Sequence, residues 1–386
     1  MTLRVFTAEE VAEFYASGGY PGGMRRQRHE TWHMNMKKTK VLAAALAAFA
    51  AVPLWALDES VPEIRERISN GWWRVACYKP GTNGGERVYR DYAFGEPVDW
   101  TASDVRDVGP GTKIVCLATK AEGIPNKIYA VRVDLSTPRL DIVGSLRCDV
   151  WGTPMTDVDH IRPARTLRET TADFMVRNRA AEGRLAGKSP VFLALNCVGW
   201  GPWASRRDAQ STYADPASPL YSFGQQVSGE GFGDEALQKR KLGIFVFCED
   251  RTADIVSVVT PELAKRVRFS AACFVCRLVA NGEVNPVSGR DKSRAQRTSL
   301  GLSKGRRYLY FVVCDGRDKA WSRGLNFREL SEVHKAVGSW DAINLDGGGS
   351  TTLLTWDAKR NQPYMHNWQT GLRRNGSNIG LSQAEF

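Results

Sequence analysis

The sequence predicts an α+β fold, with mixed or antiparallel β-sheets and a few packed helices. Three observations carry this. Short apolar runs, several alternating with polar residues, recur from about residue 110 onward between Gly, Pro, Asn and Asp turn residues. Only two stretches show clear helical patterning, too few for an all-helical or regularly alternating α/β chain. The 386 residues are 42% apolar and 25% charged, and 12 Trp, 15 Phe and 11 Tyr are available to fill a core. That composition excludes disorder throughout. The 36 glycines show no three-residue period, which excludes collagen.

Taken in order, the first element is an address. Met36-Lys37-Lys38-Thr39-Lys40 precedes an Ala-rich apolar run from Val41 to Trp55, which ends at Ala56 before Leu57-Asp58-Glu59. A basic start, a short apolar middle and a small residue at the boundary predict a secretory signal peptide over 36–56. The apolar run is too short to span a bilayer comfortably. Cleavage after Ala56 leaves an exported chain, periplasmic or secreted, with no stable membrane span. Residues 1–35 show no amphipathic pattern and are read as lying upstream of a true start at Met36.

Residues 57–125 are an N-terminal β-rich segment, either a small appended β unit or the first strands of the same domain, since no clean linker separates it from residue 126 onward. Residues 126–386 form the principal domain. Strands are expected at Ile114 to Ala118, Lys127 to Leu135 and Leu140 to Val143. Arg168 to Glu182 reads as a helix capped by Thr170 or Thr171. Pro190 to Asn196 reads as a buried strand ending on a polar residue. Residues 199–236 read as a long functional loop carrying Trp200, Trp203, Tyr213, Tyr221 and Phe223, a cluster suited either to sugar stacking or to packing the loop. Further strands are expected at Leu242 to Glu249, Ile255 to Val259, Cys273 to Ala280, Thr298 to Leu302, Tyr308 to Asp315, Ala342 to Leu345 and Leu353 to Trp356. Leu325 to Val337 reads as a helix capped by Asn326.

Eight cysteines lie after the signal, and most sit inside apolar runs. They read as small buried hydrophobes, including Cys273 and Cys276, whose thiols would face opposite ways on a strand. His160, His334 and His366 are the only histidines after the signal, with no metal-ligand spacing. No metal and no cofactor are expected. The formal net charge of +11 is dispersed and accompanies no nucleic-acid motif, so no nucleic-acid partner is expected.

Chemistry concentrates at strand ends. Asn344-Leu345-Asp346-Gly347-Gly348-Gly349-Ser350-Thr351-Thr352 has a buried strand delivering an Asp to three glycines. Such a turn lets backbone approach a ligand, and its N–H groups can form a nest for an anion. Arg297-Thr298-Ser299-Leu300-Gly301 puts an Arg at a strand entry. Asp315-Gly316-Arg317 puts Asp and Arg just past a strand exit. Polar residues at 196, 297, 315, 317 and 346 point to one polar site at a sheet edge.

These motifs resemble the phosphodiester glycosidase family. The pattern is an early strand-end Asn, then RT-x-x-G, DGR, S-x-G-L and NLDGGGSTT. This chain carries it at Asn196, Arg297 to Gly301, Asp315 to Arg317, Ser322 to Leu325 and Asn344 to Thr352, with a closing Arg373-Arg374-Asn375 and Asn378. The order and spacing match over about residues 125–382. One departure is local: Asn196 is followed by Cys197-Val198-Gly199-Trp200-Gly201 where the family commonly has Gly and aromatic residues.

The resemblance implies hydrolysis of a glycosidic C1–O bond in a sugar phosphodiester or a related glycan. Catalytic candidates are Asp346 and Asp315 as base or nucleophile, and Arg297 and Arg317 on the phosphate. Substrate-binding candidates are Asn196, Thr298, Asn344, Gly347, Gly348, Gly349, Ser350, Thr351, Arg373, Arg374 and Asn378. A glycosidase on unphosphorylated exopolysaccharide or cell-wall glycan, and a non-catalytic glycan-binding envelope protein, are the alternatives.

Overall fold

The computed structural model describes residues 89–121, 123–179, 190–229, 242–285, 293–359, 361–368 and 373–383. The expected signal peptide, the segment before it and Cys77 lie outside these residues.

The fold is mostly β. A nine-stranded sheet runs in the order Arg90–Asp91, Thr112–Ala121, Ile124–Asp134, Tyr308–Cys314, Arg297–Leu302, Asp341–Asn344, Arg277–Ala280 and Glu283–Val284, with Arg106–Gly109 beside Thr112–Ala121. Every pairing in it is antiparallel except that of Arg90–Asp91 with Thr112–Ala121. Thr112–Ala121 pairs with Ile124–Asp134 along its whole length, so strands on both sides of residue 125 belong to one sheet.

A five-stranded antiparallel sheet runs in the order Gln362–Met365, Leu353–Asp357, Val191–Asn196, Asn378–Gln383 and Leu140–Gly144. A second has the order Gln225–Ser228, Leu220–Ser222, Val267–Ala272, Ile244–Cys248 and Ala253–Val256. Thr166–Leu167, Tyr213–Pro216 and Trp200–Gly201 form a fourth, three-stranded sheet.

One apolar cluster draws on all three larger sheets. Val131, Leu300, Phe311 and Ile343 come from the first, Leu195 and Ile379 from the next, and Phe245 and Phe269 from the last. Two-residue alternation puts Val312 and Cys314 in a separate cluster with Leu330, Val333 and Val337. Those three residues come from the helix Phe327–Val337. At its start, Asn326 Oδ1 accepts from the Glu329 N–H at 2.9 Å and Glu329 returns a bond to the Asn326 N–H at 3.0 Å. The helix stops at Gly338, whose φ is 107°.

Two expectations change. The long loop at 199–236 contains four short strands in its described part, which pair into the smaller sheets. A single strand from Cys273 to Ala280 does not form. Val275 has φ 76°, and the chain turns there from the Val267–Ala272 strand of one sheet to the Arg277–Ala280 strand of another. Cys273 and Cys276 therefore enter different clusters, and all seven described cysteines are unbridged and buried. Among the described residues no helix is long and apolar enough to cross a membrane.

Candidate active site

The site forms where the ends of two sheets meet. Val191–Asn196 ends beside the exit of Asp341–Asn344 and the entry of Arg297–Leu302. The Leu345 N–H donates to the Thr298 carbonyl at 2.9 Å, and the Asp346 N–H donates to the Cys197 carbonyl at 2.9 Å. Asn196 locks this junction. Its Oδ1 accepts from Thr298 Oγ1 at 2.8 Å and from the Thr352 N–H at 3.1 Å, and its Nδ2 donates to the Asp346 carbonyl at 2.6 Å. Asn196 is fully buried, so these bonds fix the backbone on both sides of the glycine turn.

Beyond Asp346 the chain makes a 3-10 turn over Gly348–Ser350. Gly348 sits at φ 62°, in the left-handed region, and a Cβ there would stand 3.2 Å from Arg317 Nη2. The turn is not an open anion nest. The Gly347 N–H donates to Asp346 Oδ1 at 2.9 Å, and the Gly348 N–H to the Gln296 carbonyl at 2.9 Å. The Ser350 and Thr351 N–H groups donate back into the turn at 3.2 Å each. These N–H groups already have acceptors within the protein.

Asp346 is half-buried. Burial pushes its carboxyl up to about 6, against Ser350, a hydrogen bond from the Gly347 N–H, the charge of Arg373 and the neighbouring Trp200. Arg373 Nη1 lies 3.4 Å from Ser350 Oγ, and its guanidinium stands 4.8 Å from the Trp203 ring centroid. Arg317, exposed, lies against Gly348 on the same turn. The geometry thus unites a carboxylate of raised basicity with two arginines on one glycine turn.

Residues 210–381 match the model of the phosphodiester glycosidase family. That segment carries a phosphodiester glycosidase domain. It includes Arg297, Asp315, Arg317, Asp346, Arg373 and Asn378, whereas Asn196 and Trp200 precede it. No curated protein matches the sequence. Among solved structures, the catalytic domain of zebrafish N-acetylglucosamine-1-phosphodiester alpha-N-acetylglucosaminidase, auto-inhibited by its pro-peptide, is 15% identical. That alignment covers 75% of this chain and 87% of the zebrafish chain, with a TM-score of 0.43. A hypothetical protein from Synechocystis is 12% identical, with 71% of this chain and 62% of that one covered and a TM-score of 0.42.

Several other candidates of the phosphodiester glycosidase pattern face elsewhere. Arg297 alternates with Thr298 and turns to the helix side. Its Nε donates to the Leu325 carbonyl at 3.1 Å and its Nη2 to the Ser293 carbonyl at 2.9 Å, with the guanidinium 4.1 Å over Phe327. Asp315 is fully buried, with three donors already on its carboxylate. These are Tyr129 Oη at 2.8 Å, Trp321 Nε1 at 2.9 Å and the Trp368 N–H at 2.7 Å. Asn344 Nδ2 donates to the Phe274 and Leu345 carbonyls, and Asn378 Oδ1 accepts from Thr171 Oγ1 at 2.8 Å. Thr351 offers its carbonyl to Asn367 Nδ2 at 3.0 Å, and the exposed Arg374 offers its own to Arg168. Like Asn196, these asparagines bond to neighbouring protein groups.

Two residues beside the carboxylate stand outside the family motifs. Trp200 is near enough to favour the ionised form of Asp346. Arg168 stacks 4.3 Å from the Trp200 centroid and is itself buried, its Nη1 bonded to the Ala209 and Ser211 carbonyls at 3.0 Å. Burial and the neighbouring charges of Arg374 and Arg373 bring Arg168 down to about 10. Aromatic content in residues 199–236 was the available signal for Trp200. Nothing marked Arg168, since its partners lie about 40 and 200 residues away. Among the described residues no group of three or more His, Cys, Asp or Glu could hold a metal ion.

The junction predicts its own weak point. Asn196→Ala leaves the Thr298 hydroxyl and the Thr352 N–H without their acceptor, at a cost of about 2–4 kcal/mol. Urea denaturation should show that loss as a lower midpoint with an unchanged slope.

Proposed function

We propose that this protein is an exported hydrolase that cleaves the C1–O bond of a glycosyl phosphodiester. One observation carries the reading: the Asp346 carboxyl, held at about 6, shares the glycine turn with Arg317 and Arg373. In this reaction the C1–O bond breaks with its electron pair going to the phosphate oxygen. The departing phosphate monoester leaves readily as an anion, so the site needs positive charge more than a proton donor. Arg317 and Arg373 supply that charge, and Arg offers a planar, two-pronged fork to phosphate. A water adds to C1 and gives its proton to Asp346. A carboxylate near 6 is a stronger base than an ordinary Asp, yet about nine-tenths ionised at pH 7. Asp315, whose carboxylate already holds three donors, is given no step in this chemistry.

The test is a panel pairing sugar-1-phosphodiesters with the matching nitrophenyl glycosides, using the chain from Leu57. The expected result is turnover of the diesters. Turnover of the neutral glycosides alone moves the protein to ordinary glycan hydrolysis. Sugar binding with no turnover of either class makes it a binding module.

A further inference from the structure

The segment after Asn196 is where this chain leaves the family pattern, and it carries a tryptophan to the rim of the candidate site. We propose that Trp203 is a positioning residue for Arg373, its ring holding the guanidinium so that the in-plane N–H groups meet an anion beside the glycine turn. The inference rests on Arg373 being a phosphate-binding residue of the proposed hydrolase and adds the device that aims it.

The geometry is a run of stacked groups. Buried Arg168 stands 4.3 Å from the Trp200 centroid and 5.3 Å from that of Trp203. The two indoles meet edge-on with centroids 5.0 Å apart, and Arg373 closes the run 4.8 Å from the Trp203 centroid. The inner end is anchored. Arg168 Nη1 donates to the Ala209 and Ser211 carbonyls at 3.0 Å each, and its Nη2 to the Arg374 carbonyl at 3.4 Å. That last bond also ties down the backbone next to Arg373. At the outer end the guanidinium lies against the glycine turn, where a Cβ on Gly349 would stand 2.5 Å from Arg373 Nη2.

The arginines at the two ends differ in what their N–H groups do. Those of Arg168 are spent on carbonyls inside the fold. Among the described residues Arg373 forms no ion pair, and its hydrogen bond is to Ser350 Oγ at 3.4 Å. A salt bridge would orient a guanidinium by occupying its donors and offsetting its charge. An aromatic ring orients it through the ring quadrupole and leaves charge and donors available to a ligand. Trp203 is 40% exposed, and it is the only exposed Trp, Tyr or Phe among the described residues. Core burial does not account for an indole in that position; a cation to hold does.

Trp203→Leu keeps apolar bulk and removes the aromatic ring, whereas Trp203→Phe keeps a ring. The probe is methyl phosphate, whose weak binding phosphorus NMR can follow. It is titrated into the unchanged protein, both variants, Arg373→Ala, and Arg373→Ala combined with Trp203→Leu. The expected Kd is about tenfold higher in Trp203→Leu and within about threefold of the unchanged protein in Trp203→Phe. In the Arg373→Ala background Trp203→Leu should have no further effect, because the tryptophan acts through the arginine. An unmoved Kd in folded Trp203→Leu, equal losses in the Leu and Phe variants, or additive losses in the double variant overturn the proposal. So does an unchanged protein that binds no methyl phosphate. If Trp203→Leu fails to fold, tetrafluorotryptophan at position 203 weakens the ring quadrupole at nearly constant shape and should raise Kd likewise; an unmoved Kd there overturns the proposal too. The titration needs no turnover. The coupled loss in a protein that hydrolyses no glycoside supports the stack and overturns the glycosidase reading alone.

Discussion

Asp346→Asn should abolish turnover, by about 10³-fold in kcat, and should also stabilise the protein at neutral pH. The second effect comes from the direction in which the carboxyl is displaced. Its folded-state value of about 6 lies above the ordinary 3.8. A group raised in this way contributes its full stability below 3.8 and loses it as pH rises through 6. Ionised Asp346 is therefore a cost to the native state at pH 7 and above, of at most about 3 kcal/mol. Asparagine keeps an acceptor oxygen for the Gly347 N–H and has no charge to bury. Thermal unfolding should give matching Tm values at pH 4 and a mutant higher by several degrees at pH 8, the gap opening between those values. Equal Tm values at both pH values would mean that Asp346 is not held out of water.

Arg373→Ala has the second large effect expected. Loss of a charged donor to a developing phosphate anion lowers kcat/KM on phosphodiesters by about 10²-fold or more. Arg317→Ala should do the same from the other side of the turn, with no effect on the Asp346 titration beyond a small field change. Arg373 also lies close enough to depress the Asp346 carboxyl. Its loss should therefore shift the acid limb upward, which separates the two arginines. Steady-state kinetics across pH on one diester and one neutral glycoside reads both effects. A loss shared equally by the neutral glycoside would place the arginines in general packing.

The contrast between Asp346 and Asp315 shows what a single sequence can carry. Both are strand-end Asp residues with a Gly next in the chain, and both looked like site residues. Asp346 is recognisable because three glycines come directly after it and the chain has to turn there. Asp315 lies past the strand Tyr308–Cys314, where Tyr129, Trp321 and the Trp368 N–H close over it. Those donors come from 6 to 186 residues away, and no local pattern announces them. Strand ends were thus legible as positions, while the directions of their side chains were not. Arg297 and Thr298 are adjacent in sequence, yet only Thr298 reaches Asn196.

The sheets were legible for a similar reason. Antiparallel strands with one face in the core leave an alternating record, and most of the expected strands lie within a few residues of observed ones. Short strands inside 199–229 left no such record, since two to four residues cannot show a period. The break at Val275 was hidden because its positive φ is imposed by the crossing between sheets rather than by a glycine. The strand Asn378–Gln383, an interior strand of its sheet, was likewise read only as a polar closing segment.

The central claim concerns which bond breaks at Asp346. The direct measurement is to run the turnover of a sugar-1-phosphodiester in water enriched in oxygen-18 and to read the released phosphate ester by phosphorus NMR. The account predicts cleavage at C1–O, so the phosphate product carries no label and the new oxygen enters the sugar. Label in the phosphate would place the attack at phosphorus. The carboxylate and arginines of this site would then serve phosphoester hydrolysis, not glycoside cleavage.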